Sequence, residues 1–289
     1  MKLCIDIGGM SCKFAVFDER QRVIFKTNAK YGQLIDYIKL EKLLFENVEL
    51  IIKEHQIDSI CIATPGIIDP ETGQMTGISA IEGQTNFNSK TALAEKFNLP
   101  VFIENDANCA AIAELRAGAA INSKNAVFIV VGTGVGGALV VNNSLYHGSF
   151  LRAGEFGGAL YLNNQDEVKN YSAAAGMNFL QNYYKSLAKS SKSGEEIYDS
   201  YHTDQFAKQA IDTQISRLAN LILFLATTLD PDVVVIGGGI SANQLFMDLL
   251  QTELQTISKL ADFEFKTKIK KALFENDANL LGAYFLNEE

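Results

Sequence analysis

The stretch VFIVVGTGVGGALVV, Val127 to Val141, decides how this chain is read. Five apolar, mostly β-branched residues, Val127–Val131, run into the turn Gly132–Gly137, and Ala138–Val141 follow it, so the order is strand, glycine turn, strand. Gly132, Gly134 and Gly137 satisfy G-x-G-x-x-G, but that fingerprint needs a helix after the turn to aim its N-terminus at a pyrophosphate. A strand follows instead. The turn therefore reads as a glycine hairpin whose backbone N–H groups face a phosphate, with an ordinary hairpin as the plainer alternative.

The same order occurs near the start of the chain: Leu3–Ile7, then Gly8 and Gly9, then Phe14–Phe17. Two copies of one unit predict two similar lobes. Between them lie a strand at Ser59–Ala63 meeting Pro65 and Gly66, and a strand at Val101–Glu104 running into Asn105 and Asp106. Leu34–His55, Ser89–Phe97 and Ala107–Ala117 carry apolar residues at helical spacing, so strands and helices alternate. The second half continues with a helix over about Asp204–Leu229, a strand at Val233–Ile236, the triplet Gly237-Gly238-Gly239, a helix to about Leu260 and a last helix from near Asn276. Gly237, Gly239 and Ala242 form a second near-match to the dinucleotide fingerprint, yet only one more strand can follow them. No G-x-x-x-x-G-K-[ST] occurs, which excludes a P-loop. Lys185–Thr203, polar and short of apolar runs, reads as a surface excursion.

With 289 residues the chain makes two domains or one large one, and 47% apolar residues are enough for a sizeable core. The formal net charge of −9 repels a nucleic-acid backbone. The basic cluster Lys266, Lys268, Lys270 and Lys271 fits the solvated edge of a short strand, so no nucleic-acid partner is expected. Cys4, Cys12, Cys61 and Cys109 lie far apart, and His55, His147 and His202 sit at no ligand spacing from them, as in a reducing compartment. Asp6 breaks the apolar run of MKLCIDIGG, and no stretch reaches membrane-spanning length. A cytoplasmic protein with no membrane partner is the expectation.

Five motifs in order, D-I-G-G at Asp6–Gly9, E-N-D-A-N at Glu104–Asn108, G-T-G-V-G-G at Gly132–Gly137, G-E-F-G at Gly154–Gly157 and I-G-G-G at Ile236–Gly239, resemble the ROK sugar kinases over nearly the whole chain. The resemblance implies an α/β fold of the two-lobed actin-like ATPase (ribonuclease H-like) class with a central cleft. Its lobes would be residues 1–117, joined by a C-terminal helix at about 276–289, and residues 118–275. ATP would lie in the cleft, its phosphates on Gly8, Gly9, Gly132, Thr133 and Gly134, its nucleoside against Gly238 and Gly239. Asp6 would face Mg²⁺ through water, since that ion keeps much of its hydration; as a turn former it needs no such role.

The same resemblance makes Asp106 the general base for a sugar hydroxyl and Asn105 a sugar ligand. Asp106 is also well placed to be a plain N-cap, and a helix N-terminus favours its charged form in either role. A second ENDAN, Glu275–Asn279, competes with the first. Asp106 is preferred because Pro100–Ile103 reads as a strand delivering it, while Asp277 reads as an N-cap. Glu155 would bind sugar hydroxyls, Thr64, Pro65 and Gly66 would form the turn at the cleft floor, and Ser79–Phe87, with Glu82, Asn86 and Asn88 nearby, would close over the sugar.

Departures from the family pattern sharpen the reading. Gly158 stands where most members have the His of E-x-G-H, and Asn163–Ser172 has none of the cysteines of their zinc loop, so no zinc is expected. Ser172 falls about where the family's last sugar-binding Glu sits. Met10 replaces the usual Thr of the first turn, leaving Ser11 or Lys13 to supply the phosphate contact. The implied activity is transfer of phosphate from ATP to the 6-hydroxyl of a hexose such as glucose, or of a β-glucoside, by a homodimer. The alternative is a catalytically weak ROK-type sugar-binding sensor or regulator without a DNA-binding domain, since the glycine turn at residue 8 leaves no room for a helix-turn-helix before it.

Overall fold

The computed structural model describes residues 1–32, 36–77, 81–162, 168–262, 264–274 and 277–288. The chain divides into two compact units, one comprising Met1–Ala117, Gly148–Arg152 and Asn276–Glu289, the other Gly118–His147 and Ala153–Glu275.

In the first unit β1 (Lys2–Ile7), β2 (Ser11–Phe17) and β3 (Val23–Lys30) form an antiparallel meander. Beyond β1, β4 (Ser59–Thr64) and then β7 (Val101–Asn105) add in parallel, giving the order β3-β2-β1-β4-β7. A parallel strand covered on both faces needs a continuous apolar run, and Leu3, Cys4, Ile5, Ile60, Cys61 and Ile62 are all fully buried. Strand β3 has no buried residue, as suits an edge. Helix α1 (Tyr37–Glu54) presses Leu40, Leu44, Val48 and Ile51 inward, and the Asp36 carboxylate accepts from the Lys39 N–H at 2.8 Å as its N-cap. The sequence starts this helix at Leu34, which lies outside the described residues. The short pair β5 (Ile67–Ile68) and β6 (Met75–Thr76), α2 (Ser89–Phe97) and α3 (Asp106–Ala117) complete this part of the chain.

The second unit repeats the plan. Strands β8 (Ala126–Val131), β9 (Val135–Val141) and β10 (Ser144–Leu145) form the meander, and β13 (Val233–Gly237) and β14 (Lys268–Lys271) add in parallel, in the order β10-β9-β8-β13-β14. A separate hairpin joins β11 (Leu160–Leu162) to β12 (Val168–Asn170). Helices α4 (Tyr171–Ala175), α5 (Met177–Ala188), α6 (Gly194–Asp199), α7 (Gln205–Leu229) and α8 (Gln244–Leu260) follow.

Lys185–Thr203 is not a surface excursion. Ser193 and Glu196 make a reciprocal capping box that starts α6, and Ile197 and Tyr198 are buried in the core. The Tyr198 hydroxyl donates to the buried Gln214 side-chain oxygen at 2.8 Å. Along β14, Lys268, Lys270 and Lys271 are exposed at the sheet edge. Lys270 donates to the Ala119 carbonyl at 2.7 Å and Lys266 pairs with Glu264 at 2.9 Å.

The last helix, α9 (Ala278–Phe285), returns to the first unit and lies against α3. Asn276, where the sequence starts it, lies outside the described residues, as does Glu275. Asp277 occupies the N-cap position but makes no side-chain cap; its carboxylate pairs with Lys26 at 2.6 Å instead. At the crossing of α9 on α3 a Cβ added to Gly282 would collide with the Cys109 carbonyl, so the helices touch backbone to backbone. Gly282→Ala should therefore cost about 1–3 kcal/mol or more in urea unfolding. Gly158→Ala, where no atom lies within 4 Å of the new carbon, should stay within about 0.5 kcal/mol of the parent. Equal effects would contradict the crossing.

Candidate functional site

The glycine turn of the second unit is a three-residue hairpin loop between the paired Val131 and Val135, closed by Gly132 N–H to Gly134 O at 3.0 Å. Two N–H groups at the start of α5 anchor it: Met177 donates to the Gly132 carbonyl at 2.9 Å and Asn178 to that of Thr133 at 3.1 Å. Those two helix donors are spent on the loop itself. The Ser172 hydroxyl accepts from the Val135 N–H at 3.1 Å and donates to the Val135 carbonyl at 3.0 Å. Ser172, which falls about where the family's last sugar-binding Glu sits, is thus bonded to the strand after the turn.

Gly238 sits at φ +87°, and a side chain there would strike the Val131 carbonyl at the end of the neighbouring strand. This brings the third glycine turn onto the second. Gly132 and Gly239, by contrast, each face open space where a Cβ would be. Both line a pocket of about 740 Å³ that also takes in Thr133, Asn178, Gln181, Glu195 and Asn243. Gln181, Glu195 and Asn243 were missed in the sequence, although the Ser193-x-x-Glu196 capping box marked a helix start beside Glu195.

Glu155 is exposed on a loop laid directly over β9. A Cβ at Gly154 would meet the Ala138 backbone, and one at Gly157 the Val135 carbonyl, which is why glycines frame the acid. Gly158 faces open space. The Tyr161 and Tyr171 rings pack edge to face at 5.6 Å, and the Arg217 guanidinium lies 4.9 Å from the Tyr161 ring centre. Of the stretch Asn163–Ser172, where other members carry a zinc loop and none is expected here, residues 163–167 lie outside the described residues.

In the first unit Asp6 is the penultimate residue of β1, 5% exposed, directly opposite Lys13 in the β1–β2 register. Lys13 donates to its Oδ2 at 3.0 Å and the Asn279 amide to its Oδ1 at 3.0 Å. Lys13, read as a phosphate contact, is thus paired with Asp6. The turn after Asp6 is fixed by Gly8 N–H to Ser11 O at 2.9 Å, by the Tyr31 hydroxyl donating to the Gly8 carbonyl, and by the Tyr31 N–H donating to Met10 O at 3.1 Å. The Met10 side chain stays 62% exposed.

The first ENDAN corrects the capping assignment. Asn105, not Asp106, caps α3: its Oδ1 accepts from the Asn108 N–H at 3.1 Å, and its amide donates to the Gly66 carbonyl at 3.0 Å. Asp106 lies in the first turn, its Oδ1 accepting from the Ala107 N–H at 2.8 Å. The buried Glu104 carboxylate accepts from the Asn105 N–H at 2.6 Å and the Asn108 amide at 2.9 Å, which locks the motif. The Gly66 turn, at φ +102°, is therefore tied to Asn105. Beside it the buried Gln84 amide donates to the Thr64 hydroxyl at 2.8 Å, the anchor of the segment that the sequence assigns to closing over a sugar. Glu82 is exposed, and its carbonyl accepts from the Tyr37 N–H at 3.0 Å. Asn88 caps α2, and Ser79 lies outside the described residues.

Burial pushes the Cys12 thiol up to about 12 and holds Cys4 and Cys109 well above the usual thiol range, so none of these offers a thiolate nucleophile at neutral pH. Among the described residues no group of three or more His, Cys, Asp and Glu side chains could hold a metal ion. A single carboxylate such as Asp6 suits Mg²⁺, which takes one or two carboxylates and completes its shell with water and phosphate. Among the same residues no helix is long and apolar enough to cross a membrane.

The repeated strand order defines an α/β protein of the actin-like ATPase (ribonuclease H-like) fold. The pattern of the ROK family matches residues 2–289, and the chain belongs to that family. It is similar to a beta-glucoside kinase of Listeria monocytogenes, 31% identical over 98% of this chain and 97% of that protein. A glucokinase of Halalkalibacterium halodurans is 27% identical over 98% and 93%. The crystal structure of a ROK family protein from Streptococcus pneumoniae in complex with sucrose superposes with a TM-score of 0.89, at 28% identity over 99% of this chain and 98% of that one.

Asp204 braces the helices near the 740 Å³ pocket, although it does not line it. Its Oδ1 caps α7, while its Oδ2 accepts from Lys192 at 3.0 Å and the Tyr184 hydroxyl at 2.8 Å, tying together the helices on either side of Glu195. These donors, Lys192 first, hold its carboxyl down at about 2. A depressed folded pKa gives stability that is full above the unfolded value of about 3.9 and is lost as pH falls toward about 2. Asp204→Asn should therefore lower Tm at pH 7, and the gap to the parent should close as pH falls from 5 toward 2. A gap independent of pH would contradict the charge-assisted cap.

Proposed function

We propose that the protein is a Mg²⁺- and ATP-dependent sugar kinase acting on the 6-hydroxyl of glucose or, preferentially, of a β-glucoside. The observation that carries the nucleotide half is the pocket between the second and third glycine turns, where Gly132 and Gly239 leave room that side chains would fill. The names of the two kinase relatives support the sugar half.

In this reading Thr133 and the backbone around it hold the phosphates, Gly238 and Gly239 lie against the nucleoside, and Gln181, Glu195 and Asn243 surround the rest. Asp6 would hold Mg²⁺ through water, and the ion when bound would neutralise charge on the phosphates. Asp106, whose Oδ1 accepts from the Ala107 N–H in the first turn of α3, takes the proton of the attacking hydroxyl. Glu155 accepts from sugar hydroxyls. Asn105 contributes chiefly by fixing the Gly66 turn.

The preference for a glycoside rests on Gly158. With open space at that position and the Tyr161 and Tyr171 rings packed on each other, a substituent on the anomeric oxygen gains room. One observation favours the second reading, a sugar-binding sensor with weak turnover: the Lys13 ammonium already occupies the carboxylate assigned to the metal.

Coupled ADP-release assays test both halves. Asp106→Asn should lower kcat by about 10²- to 10⁴-fold with sugar binding largely kept. Asp277→Asn, which breaks only an exposed ion pair, should cost little activity; equal, small losses would overturn the assignment of the base. Across a sugar panel, kcat/KM for methyl β-glucoside or cellobiose should exceed that for glucose. A clear preference for glucose would sink the open-pocket argument and leave the kinase reading standing.

A further inference from the structure

The second ENDAN copy has a use that its aspartate does not reveal. Asp277 is taken by Lys26 at the surface, but Asn279, two residues on, points its amide at Asp6. We propose that Asn279 is a positioning residue that fixes the Asp6 carboxylate in the orientation that serves the nucleotide's metal ion, an inference that rests on the metal-facing role given to Asp6 above.

The geometry divides the carboxylate between two donors of different kinds. Lys13, the cross-strand neighbour, approaches Oδ2, and Asn279 approaches Oδ1, each at 3.0 Å. The ammonium sits on a flexible stem and can swing away when phosphate offers a competing anion. The amide cannot follow it. Asn279 stands in the first turn of α9, between the buried Ala278 and Leu280, on a helix pinned to α3 by the contact of Gly282 with the Cys109 backbone. A neutral donor on a rigid helix thus holds Oδ1 while leaving the carboxylate its charge. Without it the carboxylate is free to rotate and present both oxygens to Lys13, which competes with any metal-bound water.

The plain alternative is that Asn279 merely satisfies a carboxylate that is almost buried. Stability alone cannot separate these readings, so the test reads metal dependence. ADP binding is measured by titration calorimetry over a series of Mg²⁺ concentrations, with sugar binding and Tm measured in parallel, for the parent, Asp6→Asn, Asn279→Ala, Asn279→Ser and the Asp6→Asn/Asn279→Ala double variant. The Mg²⁺ midpoint for tight ADP binding should rise about tenfold in Asn279→Ala, the scale of one hydrogen bond to a charged group. It should recover in part in Asn279→Ser, which keeps a donor, and sugar affinity should not change. The double variant should resemble Asp6→Asn alone. A lower Tm with an unmoved Mg²⁺ midpoint in both Asn279 variants would overturn the proposal. An unmoved midpoint in Asp6→Asn would overturn the role of Asp6 in the nucleotide reading and, with it, this inference.

Discussion

Backbone must meet backbone where the strands end. In the second unit β8 and β13 are parallel neighbours that finish at the same level, with Gly237 opposite Val130, so the turns leaving them compete for one volume. The competition is resolved by removing side chains: Gly238 settles onto the Val131 carbonyl, and Gly157 onto that of Val135. Any larger residue would push apart the elements that carry Thr133, Gly239 and Glu155. The pocket exists because its floor is built from main chain, with openings left at Gly132 and Gly239.

A second constraint is that buried polar groups need partners, and among the described residues no buried side-chain nitrogen or oxygen lacks a hydrogen bond. Glu104 is almost wholly enclosed, and its oxygen collects the Asn105 N–H and the Asn108 amide, so the first turn of α3 forms around it. Asn105 then spends one end of its side chain on the helix cap and the other on Gly66, which ties the end of β7 to the turn after β4. Asp6 is treated in the same way by Lys13 and Asn279. Asp204 does the equivalent in the second unit, gathering Lys192, Tyr184 and the first N–H groups of α7. Polar residues at strand and helix ends thus also hold neighbouring backbone and side chains in place.

Ser172 and Asn88 are held by the backbone in a similar way. Each is a small polar side chain near an expected sugar site, and each is engaged by backbone, Ser172 with Val135 and Asn88 with Thr91 and Thr72. Short polar side chains compete effectively for nearby main-chain groups, which makes them poor evidence of a ligand by themselves.

The strand, glycine turn, strand unit, its repeat and the family were legible in the sequence because they rest on local patterns, whereas the edge strand β3 (Val23–Lys30) was not. Apolar runs such as Leu3–Ile7 and Val127–Val131 broken by glycines mark strand ends, and helical spacing marks α2, whose bounds agree residue for residue with Ser89–Phe97. What the sequence by itself determined is therefore the α/β alternation, the repeat and the positions of the three glycine turns. It could not show that Lys185–Thr203 helps form a pocket wall, because Ile197 and Tyr198 are too few to make a periodic stripe and gain their burial from the helices packed around them, α5 and α7 among them. Nor could it find the partner of Asp6 at Asn279, 273 positions away. That contact is decided only when the C-terminal helix returns to α3, since Gly282 and Cys109 must fit against each other before the Asn279 amide can reach the strand end.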